Sequence, residues 1–241
     1  CDALGRVPVV EHLDEVRALK PGRRLNWHVG LIDEPTMQAI APCVDVISFD
    51  VVGDRETIRD AYGLEATPAD YAATYEMLRR HARARDARVV PHITVGLRCG
   101  ALGHERPAMD LLAEIGLEAL VFIVFMPTPG TRYAACPPPD VEAVAVLLAE
   151  ARMRFPEVSL QLGCMRPRRG YRARLDPLAV RAGVNAIVSP SREGRAAAEE
   201  RGLEVVETRE CCVFGPEVGR RESVTGQDGP SRVLGELEDE R

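Results

Sequence analysis

Residues 44–52 read VDVISFDVV and residues 89–96 read VVPHITVG, and these two stretches decide the fold. Both are rich in branched aliphatics, as a strand covered on both faces must be. Each also carries polar groups on a single parity: Ser48 and Asp50 in the first, His92 and Thr94 with Gly96 in the second. Side chains alternate along a strand, so each polar set shares one face. Four further β-type runs flank them, at Leu25–Val29, Ala119–Met126, Val158–Gly163 and Val184–Ser189.

Helical spacing fills the gaps. Val9, Leu13, Val16 and Leu19 make a stripe in Pro8–Lys20. Thr67 opens a capping box with Asp70, Pro68 sits in the first turn, and that helix runs to about Asp86. Pro107–Ile115 stops at Gly116, and Asp140–Arg154 follows. Asp176–Pro177 reads as the start of a short helix ending at Gly183, and Ser191 caps one ending near Gly202. A short β-type piece is expected at Glu204–Val206. Strand starts recur roughly every 32 residues, the length of a βα unit.

Strict alternation predicts parallel strands in consecutive order with helices outside. A doubly wound sheet and a TIM-type (βα) barrel both fit. No G-x-G-x-x-G follows a strand, which weighs against a dinucleotide fold. A barrel needs eight strands and six are present, so the first two are expected upstream of Cys1. The expected division is a barrel over residues 1–212 and a polar, disordered tail over 213–241.

The formal net charge of −6 argues against a nucleic-acid binder. With 46% hydrophobic residues the 241-residue chain can bury a full core. No apolar run reaches the ~18–20 residues of a membrane helix. No charged-then-apolar leader opens the sequence, and a cytoplasmic location is the expectation. Seven cysteines, an odd number, argue against a disulfide framework, and no C-x-x-C pair exists. Cys43 reads as a small apolar residue. Cys99, Cys164 and the Cys211–Cys212 pair sit in or near strand ends and loops, as either buried thiols or candidate iron ligands.

An ordinary (βα)₈ barrel fills its interior with aliphatics. Here Asn26, His28, Ser48, Asp50, His92 and Thr94 share inward parity and are expected to line one cavity; on the fifth strand the polar parity holds Gln161, Gly163 and Met165. Unpartnered, each would cost ~1–3 kcal/mol, so a large polar ligand or ordered water must satisfy them. His12 and His81 read as solvated helix residues, and His104 as an uninformative loop residue. A metal-dependent hydrolase would want His-x-His on the first strand, G-x-S-x-G is absent, and no carboxylate pair suggests glycoside hydrolysis.

Several segments together resemble the radical S-adenosylmethionine (SAM) enzymes of the biotin synthase and lipoyl synthase branch. VDVISFDVVGD at 44–54 and the following Tyr62–Gly63–Leu64 resemble the fourth strand and its helix. VVPHITVGL at 89–97, ALVFIVFMPTPGT at 119–131, LQLGCMRP at 160–167 and AGVNAIVS at 182–189 are similar to the fifth to eighth strands, and CDALGRVP at 1–8 to the end of the Gly-Gly segment that meets the SAM amino group. The resemblance implies reductive cleavage of SAM at a [4Fe-4S] cluster and hydrogen abstraction by the 5′-deoxyadenosyl radical, with sulfur insertion in biotin and lipoyl synthases. It implies a small-molecule or protein-bound cofactor precursor as substrate, and ferredoxin or flavodoxin as electron donor. The cofactor-binding residues it points to are His28, Asp50, His92, Thr94, Gly96 and Arg166, the last near the family's cluster-bridging arginine. The three-cysteine loop C-x-x-x-C-x-x-C is absent and is expected upstream. Two barrel cysteines of biotin synthase correspond to Asn26 and Val90, leaving Cys164, Cys211 and Cys212 as candidates for an auxiliary cluster only. The alternatives are a catalytically silent barrel subunit that binds a partner, and a hydrolase holding zinc through His28 and His92.

Overall fold

A computed structural model describes residues 10–208 and 210–214. The expectations for Cys1–Pro8 and for Gly215–Arg241 lie outside the described residues. All six strands form: β1 (Asn26–Val29), β2 (Val46–Asp50), β3 (Arg88–Val95), β4 (Ala119–Val124), β5 (Ser159–Leu162) and β6 (Ala186–Ile187). They pair in parallel throughout, in the order β1-β2-β3-β4-β5-β6. The eight helices are α1 (Leu13–Leu19), α2 (Glu34–Ile40), α3 (Arg55–Thr57, running into a π turn at Ile58–Tyr62), α4 (Pro68–Arg83), α5 (Glu105–Ile115), α6 (Val141–Arg154), α7 (Gly170–Arg181) and α8 (Arg192–Glu200), counted among the described residues.

Strand parity separates two cores. Ile47, Phe49, Ile93, Val95, Leu120, Phe122, Leu160 and Leu162 belong to the main core, together with helical Tyr75, Leu78, Leu112, Leu147 and Leu175. Val46, Val90, Val121 and Ile123, of the opposite parity, form a separate cluster around Val213. In this cluster the inner face of the sheet meets a 3-10 turn (Cys212–Phe214) and no α-helix. One helix-covered face and unbroken strand order are what a (βα) barrel requires, whereas a doubly wound sheet has helices on both faces and a reversal of order. The sheet is therefore of the parallel (βα)-barrel type.

Local chemistry sets the helix starts. Asp70 Oδ2 accepts from the Thr67 amide and lies 2.7 Å from both Thr67 N and Thr67 Oγ1. Asp140 accepts from Ala143 N at 3.0 Å, and Ser191 Oγ from Gly194 N at 3.1 Å. Each satisfies an N–H that the helix itself leaves unpaired.

Four expectations need correction. α7 starts at Gly170, and Pro177 lies inside it. Asp-Pro reads as an N-cap and first-turn pair, but the Asp176 carboxylate is taken by Arg166. Glu204–Val206 is not a strand, and Val206 is 71% exposed. Cys99 and Cys136 form a disulfide, because the loops after the neighbouring strands β3 and β4 meet at the rim. Val213, placed in the polar tail by composition, is 2% exposed on the inner face.

Candidate functional site

The inner face carries Asn26 and His28 from β1, Ser48 and Asp50 from β2, His92 and Thr94 from β3, and Ser159 and Gln161 from β5. Register brings Asp50, His92, Val121 and Gln161 to one level across four strands. His28 pairs in register with Ser48. Ser48 Oγ and Asn26 Oδ1 close a 2.8 Å hydrogen bond, which satisfies both.

Asp50 is the centre. His28 Nε2 lies 3.3 Å from Asp50 Oδ2, and the Tyr62 hydroxyl donates to the same oxygen at 3.4 Å. The rings of His28 and His92 stand 5.3 Å apart, tilted by 39°. His92 Nδ1 lies 3.0 Å from the Val90 carbonyl, which can only accept. Nδ1 therefore carries the proton and Nε2 keeps its lone pair.

The electrostatics separate these groups. The hydrogen bond to Asp50 lifts His28 above its ordinary value, outweighing burial, which lowers it. Burial pushes the Asp50 carboxyl up, but the His28 hydrogen bond and the charges of both histidines bring it below the usual range. Burial drops His92 to about 4, against the pull of Asp50. Burial first, then Asp50, raises Tyr62, so it stays a donor. At neutral pH the site holds a carboxylate, a histidine that readily takes a proton, and a neutral histidine.

Two acceptors are left over. Asp50 Oδ1 and Gln161 Oε1 are buried and have no hydrogen-bond partner among the described residues. Gln161 is only 4% exposed, and its amide nitrogen makes a long 3.4 Å bond to Ser159 Oγ. Leaving such atoms unpaired costs ~1–3 kcal/mol each, so the arrangement suits a ligand that brings donors.

The other expected site residues have different surroundings. Thr94 is buried on the inner face, and its carbonyl lies 2.9 Å from His104 Nε2. Gly96, at φ +76, passes so close to the loop before α6 that an added Cβ would stand 2.1 Å from Pro139 Cγ. That close approach is to the chain's own proline. Arg166 is fully buried and fully engaged: its guanidinium meets Asp176 at 3.2 and 3.3 Å, and donates to the carbonyls of Gly163 and Ser189. Cys164 and Cys211 are exposed and free. Cys211 and Cys212 have their sulfurs 3.8 Å apart, and burial pushes the Cys212 thiol up to about 12. Among the described residues no three His, Cys, Asp or Glu side chains gather as a metal-ligand set.

Sequence reasoning missed Tyr62 as a partner of Asp50, and it missed His104 and Glu105. Both of the latter are 1% exposed. Glu105 accepts from Gly96 N at 2.7 Å and Gly103 N at 2.6 Å, which fixes the turn after β3. The available signal was a carboxylate at a helix start beside glycines whose N–H groups need acceptors.

The class this fold defines is the parallel (βα) barrel. Solved structures of similar fold include a hydroxymethylglutaryl-CoA lyase from Pseudomonas aeruginosa, with TM-score 0.52, 14% identity, and coverage of 72% of this chain and 57% of that one. The HMG-CoA lyase from Brucella melitensis gives TM-score 0.56, 12% identity, and coverage of 79% and 72%. Methylornithine synthase (PylB) gives TM-score 0.54, 15% identity, and coverage of 82% and 64%. The chain thus spans just over half the length of the first of these. No protein-family model and no curated protein sequence matches the chain. No described helix is long and apolar enough to cross a membrane.

Proposed function

We propose that this chain forms the barrel of a radical SAM enzyme, and that SAM lies across the inner face against Asp50, His28, His92 and Thr94. The observation that carries the reading is the pair of orphaned acceptors, Asp50 Oδ1 and Gln161 Oε1, beside two histidines on one face. SAM brings the donors they lack: an ammonium group, ribose hydroxyls and an adenine amine. The sequence resemblance in strand order supports the same reading. The fold does not choose a reaction, since a lyase and a synthase share it.

The residues present suit SAM, and they do not suit the [4Fe-4S] cluster. C-x-x-x-C-x-x-C is absent from the sequence, and no ligand set of three gathers among the described residues. In this reading the cluster belongs to residues outside this sequence. When bound, SAM supplies a 5′-deoxyadenosyl radical for hydrogen abstraction.

The chain's own part is binding and exclusion of water. Asp50, held as a carboxylate by His28 and Tyr62, receives a ligand N–H or O–H at Oδ1. His92 offers a neutral Nε2 as an acceptor. His28 keeps a proton at Nε2 toward Asp50 and anchors that carboxylate. The substrate is a small molecule or a protein-bound cofactor precursor, and a ferredoxin- or flavodoxin-type donor supplies the electron.

The test uses the upstream-extended reading frame, reconstituted with iron and sulfide without oxygen. Reduced with dithionite, it should release 5′-deoxyadenosine. Alanine at the upstream cysteines should abolish release, and Asp50→Asn should weaken SAM binding roughly ten- to a hundredfold, the worth of a charged hydrogen bond. A well-folded extended protein that releases no 5′-deoxyadenosine, or an upstream frame without the three cysteines, overturns the reading.

A further inference from the structure

The rim of the barrel carries a proline-rich strap, residues 126–140, between β4 and α6. Its far end reaches back across the sheet. Arg132 and the Tyr133 hydroxyl both donate to the Asp60 carbonyl, and the Tyr133 ring packs edge-on to Phe125 with centroids 5.9 Å apart. Asp60 belongs to the same π turn as Tyr62, which donates to Asp50. The base of the strap is set by Pro139, which lies against Gly96 and accepts from the Tyr171 hydroxyl at 2.9 Å. Between base and far end a single covalent tie holds it: Cys136 is bonded to Cys99 in the β3–α5 loop, with Cα atoms 5.0 Å apart.

That tie is accessible. Cys99 is exposed and Cys136 partly so. Cys99 also takes φ +52, a left-handed conformation that a residue with a side chain rarely adopts. Disulfides within reach of an attacking thiolate are the reducible ones. Without the bond, the contacts left to the far half of the strap among the described residues are the hydrogen bonds of Arg132 and Tyr133 to the Asp60 carbonyl and the packing of Tyr133 on the buried Phe125.

We propose that Cys99 and Cys136 are a reversible thiol–disulfide modification site that latches the strap, and through Asp60 the wall carrying Tyr62, over the inner-face site. Opening requires a small thiol or dithiol. Its thiolate attacks Cys99 Sγ, the Cys99–Cys136 bond breaks, and Cys136 leaves as a thiolate that takes a proton. A second thiol then attacks the sulfur that the reductant contributed to the mixed disulfide, and releases Cys99. Two electrons pass to the protein, and the reductant leaves as its disulfide. The proposal stands apart from the radical SAM reading, since it concerns access to the site whatever binds there.

The test combines alkylation mapping with hydrogen–deuterium exchange on the full chain. Purified in air and denatured without reductant, the protein should leave Cys99 and Cys136 unalkylated and the other five cysteines modified. After dithiothreitol both should react. In the native protein, reduction should speed amide exchange at least tenfold in 126–136 and measurably in 58–63, with 105–115 unchanged. Cys136→Ser without reductant should match the reduced wild type; if that variant does not fold, reduced wild type alone carries the comparison. A pair that alkylates fully before reduction overturns the proposal, and so does exchange that reduction leaves unchanged in either segment.

Discussion

Replacing Asp176 with leucine should be among the most damaging single changes outside the inner-face site. Asp176 and Arg166 are both 0% exposed, and the carboxylate meets the guanidinium at 3.2 and 3.3 Å. Asp176 Oδ2 also accepts from Ser191 N at 2.7 Å, which ties the start of α8 to α7. Leucine keeps the branching of aspartate and is larger, so no cavity opens. What remains is a buried guanidinium holding only the Gly163 and Ser189 carbonyls, and a Ser191 N–H that has lost its acceptor. Removing one partner of a buried ion pair costs about 3–5 kcal/mol. For a chain of this size that lowers Tm by roughly 6–20 °C, at about 2–4 °C per kcal/mol. Urea unfolding followed by far-UV circular dichroism and by Trp27 fluorescence would read the loss as a shift in midpoint at constant slope. The discriminating variant is Arg166→Met combined with Asp176→Leu. With no charge left buried, it should recover most of the lost stability, to within about 1–2 kcal/mol of wild type, the remainder being the unpaired Ser191 N–H. A loss below about 1 kcal/mol for Asp176→Leu, or a double variant as unstable as the single one, would refute the reasoning.

Two further outcomes follow from the same geometry. Burial lowers His92 to about 4 from its ordinary 6.5, so between those values the unfolded chain binds a proton that the folded chain refuses. Stability from this residue is intact above about pH 6.5 and falls as pH drops toward 4, by roughly 3 kcal/mol in all; urea midpoints from pH 4.5 to 7.5 should slope less steeply in His92→Gln, and an identical slope counts against the assignment. At Gly53 an added Cβ would stand 2.2 Å from His104 O and 2.3 Å from Ala108 N, both backbone, whereas one at Gly103 meets nothing within 4 Å. Gly53→Ala should therefore cost roughly 1–3 kcal/mol or more and Gly103→Ala almost nothing, and equal melting temperatures for the two would contradict the packing at the start of α5.

The order and direction of the six strands were legible in the sequence because both come from local pattern. A strand covered on both faces shows as a short aliphatic run, and a roughly constant interval between runs leaves room for one crossover helix, which makes neighbours parallel. Ser48, Asp50, His92 and Thr94 were legible as a set for the same reason: alternation assigns each to a face without knowledge of any distant residue. Whether the sheet is doubly wound or of the barrel type was open in the sequence, and the separation of Ile47 and Phe49 from Val46 into two cores, only one of them covered by helices, decided it. Partnership between distant residues was also beyond local pattern. Arg166 with Asp176, Cys99 with Cys136, Tyr62 with Asp50 and Val213 with Val46 each join segments whose meeting depends on the whole sheet. Asp176 shows the difference within one side chain. Its neighbour Pro177 makes it read as a helix cap, but a buried guanidinium offers a carboxylate more than an N-cap N–H does, and so the helix starts at Gly170 and encloses the proline.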